Sequence, residues 1–431
     1  MIKWIEKTYI FILYSFFSLY IILIYPWGDN YYYANAKAYY FIGCMFLLAL
    51  LAISLRVARD DRFVWKITTP ESLMVIFLIL IACSTLFSVK KSLVGDGTEH
   101  QGILIMLSCF LLFCLASRLE PRHMERLCQL IIFSSFLAAV YSILQFHHLA
   151  FLPQDAVMQF GRRTFSFFDN PDYFGSYLTL VIPITFTAFL LTLKSKRSVL
   201  YFIILCTQLL SLLESQTRSA WIGVAIGFFI IAIWVVRKRK QLVKTLALMI
   251  VAFCLIFTVS SSFSHQNNAS RALSITKDVQ KIVKNQNAGS AGASRWYIWQ
   301  VSMPLIANHF WLGTGPNTFE QVFPKDSSQT KKYFGNDKVY DENNDYLQIA
   351  LTMGVPALLI YLLILSLILF KGFRKAEELD VQQQLASYGL LAAIIGYLVQ
   401  AFFNISVISV APYFWLLLGF VVNRNKESFH Y

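Results

Sequence analysis

Charge is what this chain has least of. Lys, Arg, Asp and Glu make up 14% of its 431 residues, against 57% hydrophobic, and mean hydropathy is +0.56. Soluble domains are nearer a quarter charged, so a soluble globular class is excluded. Polar stretches are equally scarce: one alone, Phe263 to Asn344, runs for about eighty residues. Strict apolar–polar alternation is missing, which excludes a membrane barrel. Spans must then be helices, because lipid offers no partner to open backbone groups. No repeat of fixed period is present. The cysteines Cys44, Cys83, Cys109, Cys114, Cys128, Cys206 and Cys254 all fall in or beside apolar runs. That leaves no disulfide framework or zinc spacing, and small core hydrophobe is the better reading. Nucleotide-loop chemistry is excluded too: Gly313-Thr314-Gly315 follows no strand pattern and precedes no Gly-Lys-Ser/Thr. Its glycines suit a tight turn or a close backbone approach to a ligand. No small-residue cleavage site follows the first apolar run, which reads as an uncleaved anchor.

What is present is a series of apolar segments, each near the roughly 20 residues a span needs. Twelve are expected, at about 8–26, 38–55, 70–88, 102–117, 128–146, 173–193, 198–215, 219–236, 243–262, 346–370, 385–403 and 407–422. The organisation expected is an all-α polytopic membrane protein: spans one to nine in 1–262, a polar loop in 263–344, and spans ten to twelve in 345–431. The net charge of +13 is mainly a topology signal rather than a nucleic-acid footprint. With both termini inside, 22 of the 37 basic residues fall on inner segments, among them Arg62, Lys66, Arg424, Lys426 and the run Arg237–Lys240. Six fall on short outer loops: Lys37, Lys90, Lys91, Arg162, Arg163 and Arg218. The other nine lie in the long loop, which the positive-inside rule does not count. The long loop is therefore expected on the outer side of the cytoplasmic membrane.

Within that loop, Ile275, Val279, Ile282 and Val283 fall at helical spacing, predicting an amphipathic helix over about Ser270–Asn285. It either lies on the membrane or packs on the rest of the loop. Asn285–Ser294 is Gly/Ser/Asn-rich and reads as a flexible connector. Arg295–Ile306 is aromatic and helical, leading to a turn-rich segment at Asn308–Asn317. In the second loop, Asp169 or Asn170 is placed to cap the next helix, with Pro171 at its first position.

Three arginines stand at outer span ends or in outer loops: Arg163, Arg218 and Arg295. A guanidinium suits a phosphate because its planar fork gives two parallel charge-assisted bonds and stays charged. The plain alternatives are headgroup or surface contacts for Arg163 and Arg295, and a pair with Glu214 for Arg218. Of the histidines, including His265 and His430, only His309 sits beside the Gly-Thr-Gly turn, as a general base or as a solvated loop residue. Asp341, Glu342 and Asp345 cluster where the loop returns to the membrane, placed for helix capping or for base chemistry.

These segments resemble the O-antigen ligase and polymerase family of bacterial membrane glycosyltransferases. The likeness runs from about Ser84 onward. Arg163 to Gly175, with Phe165, Asn170, Pro171 and Tyr173, is similar to the family's Arg…Gly-Thr-Phe…Asn-Pro-Asn-Tyr segment. Thr217-Arg218-Ser219-Ala220-Trp221 resembles its Ser-Arg-Gly-Ala-Trp hairpin. Arg295, Trp299, Leu312–Gly315 and Phe319 resemble its loop pattern, and Asn344–Gln348 followed by Gly354-Val355-Pro356 its His-Asn-x-Tyr-Leu…Gly-Ile-Pro stretch.

The resemblance implies a GT-C-like architecture and a role in polysaccharide biosynthesis at the cell envelope, such as exopolysaccharide or O-antigen assembly. It implies a donor, an oligosaccharide on undecaprenyl diphosphate, and a glycan or lipid acceptor. Membrane lipids and other polysaccharide-assembly membrane proteins are the further partners expected; nucleic acid is not one. An acceptor hydroxyl attacks the anomeric carbon and the lipid diphosphate leaves, with neither metal nor other cofactor. Arg163, Arg218, Arg295, Asn170 and Tyr346 are then the substrate-binding set. One departure stands out: the family histidine falls on Asn343, which leaves Glu342, His309 or water to take the proton. Glu99-His100-Gln101-Gly102 also lacks the basic residue often found before that glycine. A flippase or exporter of the same lipid-linked glycans is the alternative, and would want charges along mid-span. A small-anion transporter would show repeated broken helices.

Overall fold

The computed structural model describes residues 2–24, 32–59, 67–152, 160–161, 163–263, 268–285 and 287–423. Arg62, Lys66, Arg162, Arg424 and Lys426 of the charge count, with His265 and His430, lie outside the described residues. Among the described residues there is no strand, and the protein is an all-α polytopic membrane protein.

The bundle is built from α1 (Ile2–Leu19), α2 (Tyr32–Ala58), α3 (Thr69–Leu86), α4 (Ile103–Ala116), α5 (Pro121–Phe146), α6 (Pro171–Leu191), α7 (Arg197–Ser215), α8 (Arg218–Lys238) and α9 (Val243–Phe263). Five shorter helices form a cap: α10 (Asn268–Val283), α11 (Arg295–Asn308), α12 (Phe319–Val322), α13 (Ser328–Phe334) and α14 (Asp345–Thr352). The bundle resumes with α15 (Val355–Glu377), α16 (Val381–Ala401) and α17 (Ala411–Val421). Ten of these helices, with short 3-10 turns added at two of them, are long and apolar enough to cross a membrane, and α4 and α17 are shorter apolar helices. Eleven of the twelve expected spans thus correspond each to one helix.

Helix α6 is the hub. Every side chain from Tyr173 to Leu190 is buried, against α7, α8 and α16. The α8–α16 crossing is set by two glycines: a Cβ on Gly396 would lie 2.6 Å from the Gly223 carbonyl oxygen. Lipid supplies no hydrophobic drive between helices, so close backbone packing of small residues has to hold such a pair. Helix α9, by contrast, turns Ile250, Val251 and Leu255 outward.

The tenth expected span is not one helix. The chain breaks at Gly354, whose φ of +95 favours glycine, and Pro356 follows without an N–H to continue a ladder. The carbonyls this break leaves open are taken by the Gly-Thr-Gly segment. Thr314 N–H donates to Leu351 O and Gly315 N–H to Thr352 O, each at 2.9 Å, while Val355 N–H returns to Phe310 O at 2.8 Å. Those glycines therefore serve a close approach to α14 backbone. Tyr297, Ile298, Phe319, Phe323 and Val339 pack with Ala350 and Leu351 into a separate small core, so α14 joins cap to bundle.

The connector before Arg295 is folded rather than loose. Ala288, Gly289 and Ala291 are buried, and a Cβ on Gly289 would meet the Tyr333 hydroxyl at 2.4 Å. Small residues there let backbone pack on an aromatic ring. Lys37, expected on a short outer loop, is buried on α2 and donates to Phe167 O at 2.6 Å, facing Asp169.

Candidate active site

Four segments meet at the cap end of the bundle: the loop before α6, the α7–α8 hairpin, the start of α11, and the α16–α17 connection. Local sequence sets each one. Asn170 caps α6 by accepting from Asp172 N–H at 2.8 Å, with Pro171 in the first turn. Gln216 takes φ +52 and turns the hairpin so that Arg218 opens α8. Gly292, Ala293 and Ser294 are all left-handed, at φ +61, +58 and +65, just before Arg295. Alanine and serine rarely hold that conformation, and such strain is typical of positions where direction matters.

These turns bring the three arginines together. The Asp172 carboxylate is shared between two of them: Arg163 Nη2 donates to Oδ1, and Arg295 Nη2 to Oδ2 at 2.8 Å. Arg163 Nε also donates to Ser215 O at 3.0 Å, and Arg295 Nη1 to Phe403 O at 2.6 Å. Thr217 Oγ1 donates to Asp172 Oδ1 at 3.2 Å. Arg218 pairs with the cap rather than with Glu214: its Nη1 reaches Ser274 Oγ at 2.7 Å and Asp278 Oδ2 at 2.8 Å. Arg271, a fourth arginine, donates from Nε to Gln216 O at 2.8 Å. Burial, with Arg163 and Arg218 beside it, pulls its guanidinium down to about 10. Between α8, α10 and α11 lies a cavity of about 160 Å³ lined by Arg218, Arg295, Trp296, Trp299, Ile275 and Val279. The apolar face of the amphipathic helix thus forms one wall and its polar face holds Arg218. A second cavity, about 380 Å³ and wholly apolar, lies among α7, α8 and α9, with Leu209, Trp221, Phe228 and Phe253 in its wall. Trp221 stands one helical turn from Arg218.

The acidic cluster lies next to this. Asn344, not Asp345, caps α14, accepting from Tyr346 N–H at 3.0 Å and Leu347 N–H at 3.1 Å. Asp345 Oδ1 accepts from Ser406 N–H at 2.9 Å. Asn343 is left-handed at φ +49 and gives its N–H to Asp341 Oδ1 at 2.7 Å. Trp299 Nε1 donates to Glu342 O at 2.9 Å and pins the segment. Glu342 is fully buried, and burial plus neighbouring Asp341 holds its carboxyl well above the usual range. Tyr346 donates its hydroxyl to Leu398 O at 2.7 Å. His309 is elsewhere, at the far end of α11, about 20 Å from Arg295 at 1.5 Å per residue. Among the described residues no three His, Cys, Asp or Glu side chains converge as a metal-holding group.

Asp172, Arg271, Ser274 and Asp278 belong to this site but were not singled out from sequence. Arg271, Ser274 and Asp278 had a legible signal, since positions i, i+3 and i+7 share one helical face. Asp172 had none beyond its place after Asn170-Pro171.

An arginine cluster under a polar cap, at the end of a helical bundle, defines a class: a polytopic membrane protein with its buried charge gathered at one end. The family model described as O-Antigen ligase matches residues 200–362. The matched region is similar to the O-antigen ligase and polymerase family; it spans α7 to the start of α15 and includes Arg218, Arg271, Arg295 and the acidic cluster. No protein of curated function matches the chain.

Proposed function

We propose that the protein is a glycosyltransferase of the ligase or polymerase type that uses a glycan carried on undecaprenyl diphosphate. The convergence of Arg163, Arg218 and Arg295 on one site, beneath α10, is the observation that carries this reading. A leaving diphosphate gains negative charge as the glycosidic bond breaks. Preorganised guanidinium donors stabilise that charge more than they stabilise the bound donor, which is what accelerates a reaction. Asp172 holds Arg163 and Arg295 in register until the diphosphate arrives. Arg218 spends only Nη1 on the cap among the described residues, leaving the rest of its fork for an anion.

The apolar cavity beside Trp221 fits the carrier's hydrocarbon tail, entering sideways between α7, α8 and α9. The opposite end of the bundle carries Arg56, Arg118, Arg122, Arg237 and Lys238, a bias that supports reading the arginine site as extracytoplasmic and both termini as inside. Asn170 and Tyr346 act by capping α6 and by anchoring α14 to α16. A flippase is less favoured, since spans carry few charges at mid-depth. The test is the product formed by purified protein and lipid diphosphate-linked repeat units. A ladder identifies a polymerase; no change until a second acceptor is added identifies a ligase; lipid movement without bond formation overturns the reading.

A further inference from the structure

We propose that Asp341 receives the proton of the acceptor hydroxyl, with Glu99, set in place by Asn317, as its carboxyl partner. This rests on the glycosyl-transfer reading above. Asn343, an amide, accepts no proton usefully near neutral pH, and its N–H is given to Asp341. Glu342 faces inward: it has 0% exposure, and neither carboxyl oxygen has a hydrogen-bond partner among the described residues. An acceptor sugar cannot reach it. Asp341 is half-buried on the same segment and lies beside Arg295 and Asp172. It is the carboxylate open to a sugar standing next to the donor.

Glu99 comes from the α3–α4 loop, far away in sequence. Its Oε2 accepts from Asn317 Nδ2 at 3.0 Å and its Oε1 from Thr98 Oγ1 at 3.2 Å, while Asn317 Oδ1 takes Asp96 N–H at 3.0 Å. Asn317, left-handed at φ +61, therefore stitches the cap to this loop and fixes Glu99. Asp341 faces Arg295 on α11, Asp172 and Tyr173 on α6, Glu99, and Glu342 on its own segment; Asp345 stands behind Glu342. Burial and the Asp341 charge push Glu99 up to about 8. Burial raises the Asp341 carboxyl as well, so the two carboxyls titrate as a pair.

The step balances. The acceptor O–H bond breaks and its oxygen bonds to the anomeric carbon. The bond to the diphosphate oxygen breaks, and that electron pair stays on the diphosphate, held by the arginines. The proton lands on Asp341 Oδ2 and later passes to water.

The test uses full-length protein in nanodiscs with undecaprenyl diphosphate-linked repeat units, following donor binding and transfer rate against pH. Asp341→Asn is expected to bind donor normally and lose about 10²–10⁴ in rate. Asp341→Glu is expected to recover part of it. Glu99→Gln reports positioning. In wild type, kcat/KM falls as pH rises through about 8, because an ionised Glu99 repels both Asp341 and the diphosphate. In Glu99→Gln that alkaline limb disappears, an effect that mere loss of packing would not produce; it also decides the matter should Asp341→Asn fail to fold. A wild-type rate in Asp341→Asn, or an unchanged alkaline limb in Glu99→Gln, overturns the assignment alone. Wild-type protein that neither binds nor transfers donor overturns the function reading with it.

Discussion

Replacing Arg218 by lysine separates a guanidinium fork from a simple positive charge. Arg218 has one nitrogen, Nη1, committed to Ser274 and Asp278 on α10, at 2.7 and 2.8 Å. Its side chain also lines the cavity that contains Arg295. A lysine keeps the charge but has one ammonium, which must choose between the cap and the diphosphate. Loss of one preorganised donor to a developing oxyanion costs about 2.7–4 kcal/mol in mutational precedent. At about 1.4 kcal/mol per decade this is roughly a 10²–10³-fold loss of rate. The ion pair itself is only partly buried, so folding should suffer far less. Initial rates of bond formation on lipid-linked repeat units, with thermal unfolding in the same detergent as control, measure both. A rate within threefold of wild type in well-folded Arg218→Lys would refute the diphosphate role of this residue, whatever the other arginines do.

Asp172→Asn leaves two guanidinium groups without their shared counter-charge. Hydrogen bonds to charged groups are worth about 1.5–3 kcal/mol, so melting temperature should drop while affinity for inorganic pyrophosphate rises, read by calorimetry. Gly354→Ala must hold φ +95 and place a Cβ 2.4 Å from Trp311 O, so the α14–α15 joint should loosen and thermal stability fall by about 1–3 kcal/mol or more. His309→Ala should transfer glycan within about twofold of wild type, because an imidazole about 20 Å from Arg295 cannot reach the reacting atoms; a hundredfold loss would place that histidine in the reaction.

The sequence by itself determined the class. Apolar runs of spanning length can be satisfied only as helices in lipid, so their number and approximate limits follow from composition. Local signals were legible too: Asp169 or Asn170 before Pro171 marked the start of α6, where the structure uses Asn170, and the spacing of Ile275, Val279 and Ile282 makes α10 amphipathic. Arg163, Arg218 and Arg295 stood out because charge is rare in this chain. What only the tertiary structure decided is which charge meets which. Asp172 and Arg295 are 123 positions apart, and Asn317 and Glu99 are 218 apart. Nothing local marks such pairs, because their geometry depends on how α6, α8 and α16 cross through small residues such as Gly223 and Gly396. The same holds for the inward and outward turns of Glu342 and Asp341. Adjacent carboxylates look alike in a sequence, and only the structure shows Glu342 fully buried, with its carbonyl held by Trp299, while Asp341 stays half-buried near Arg295.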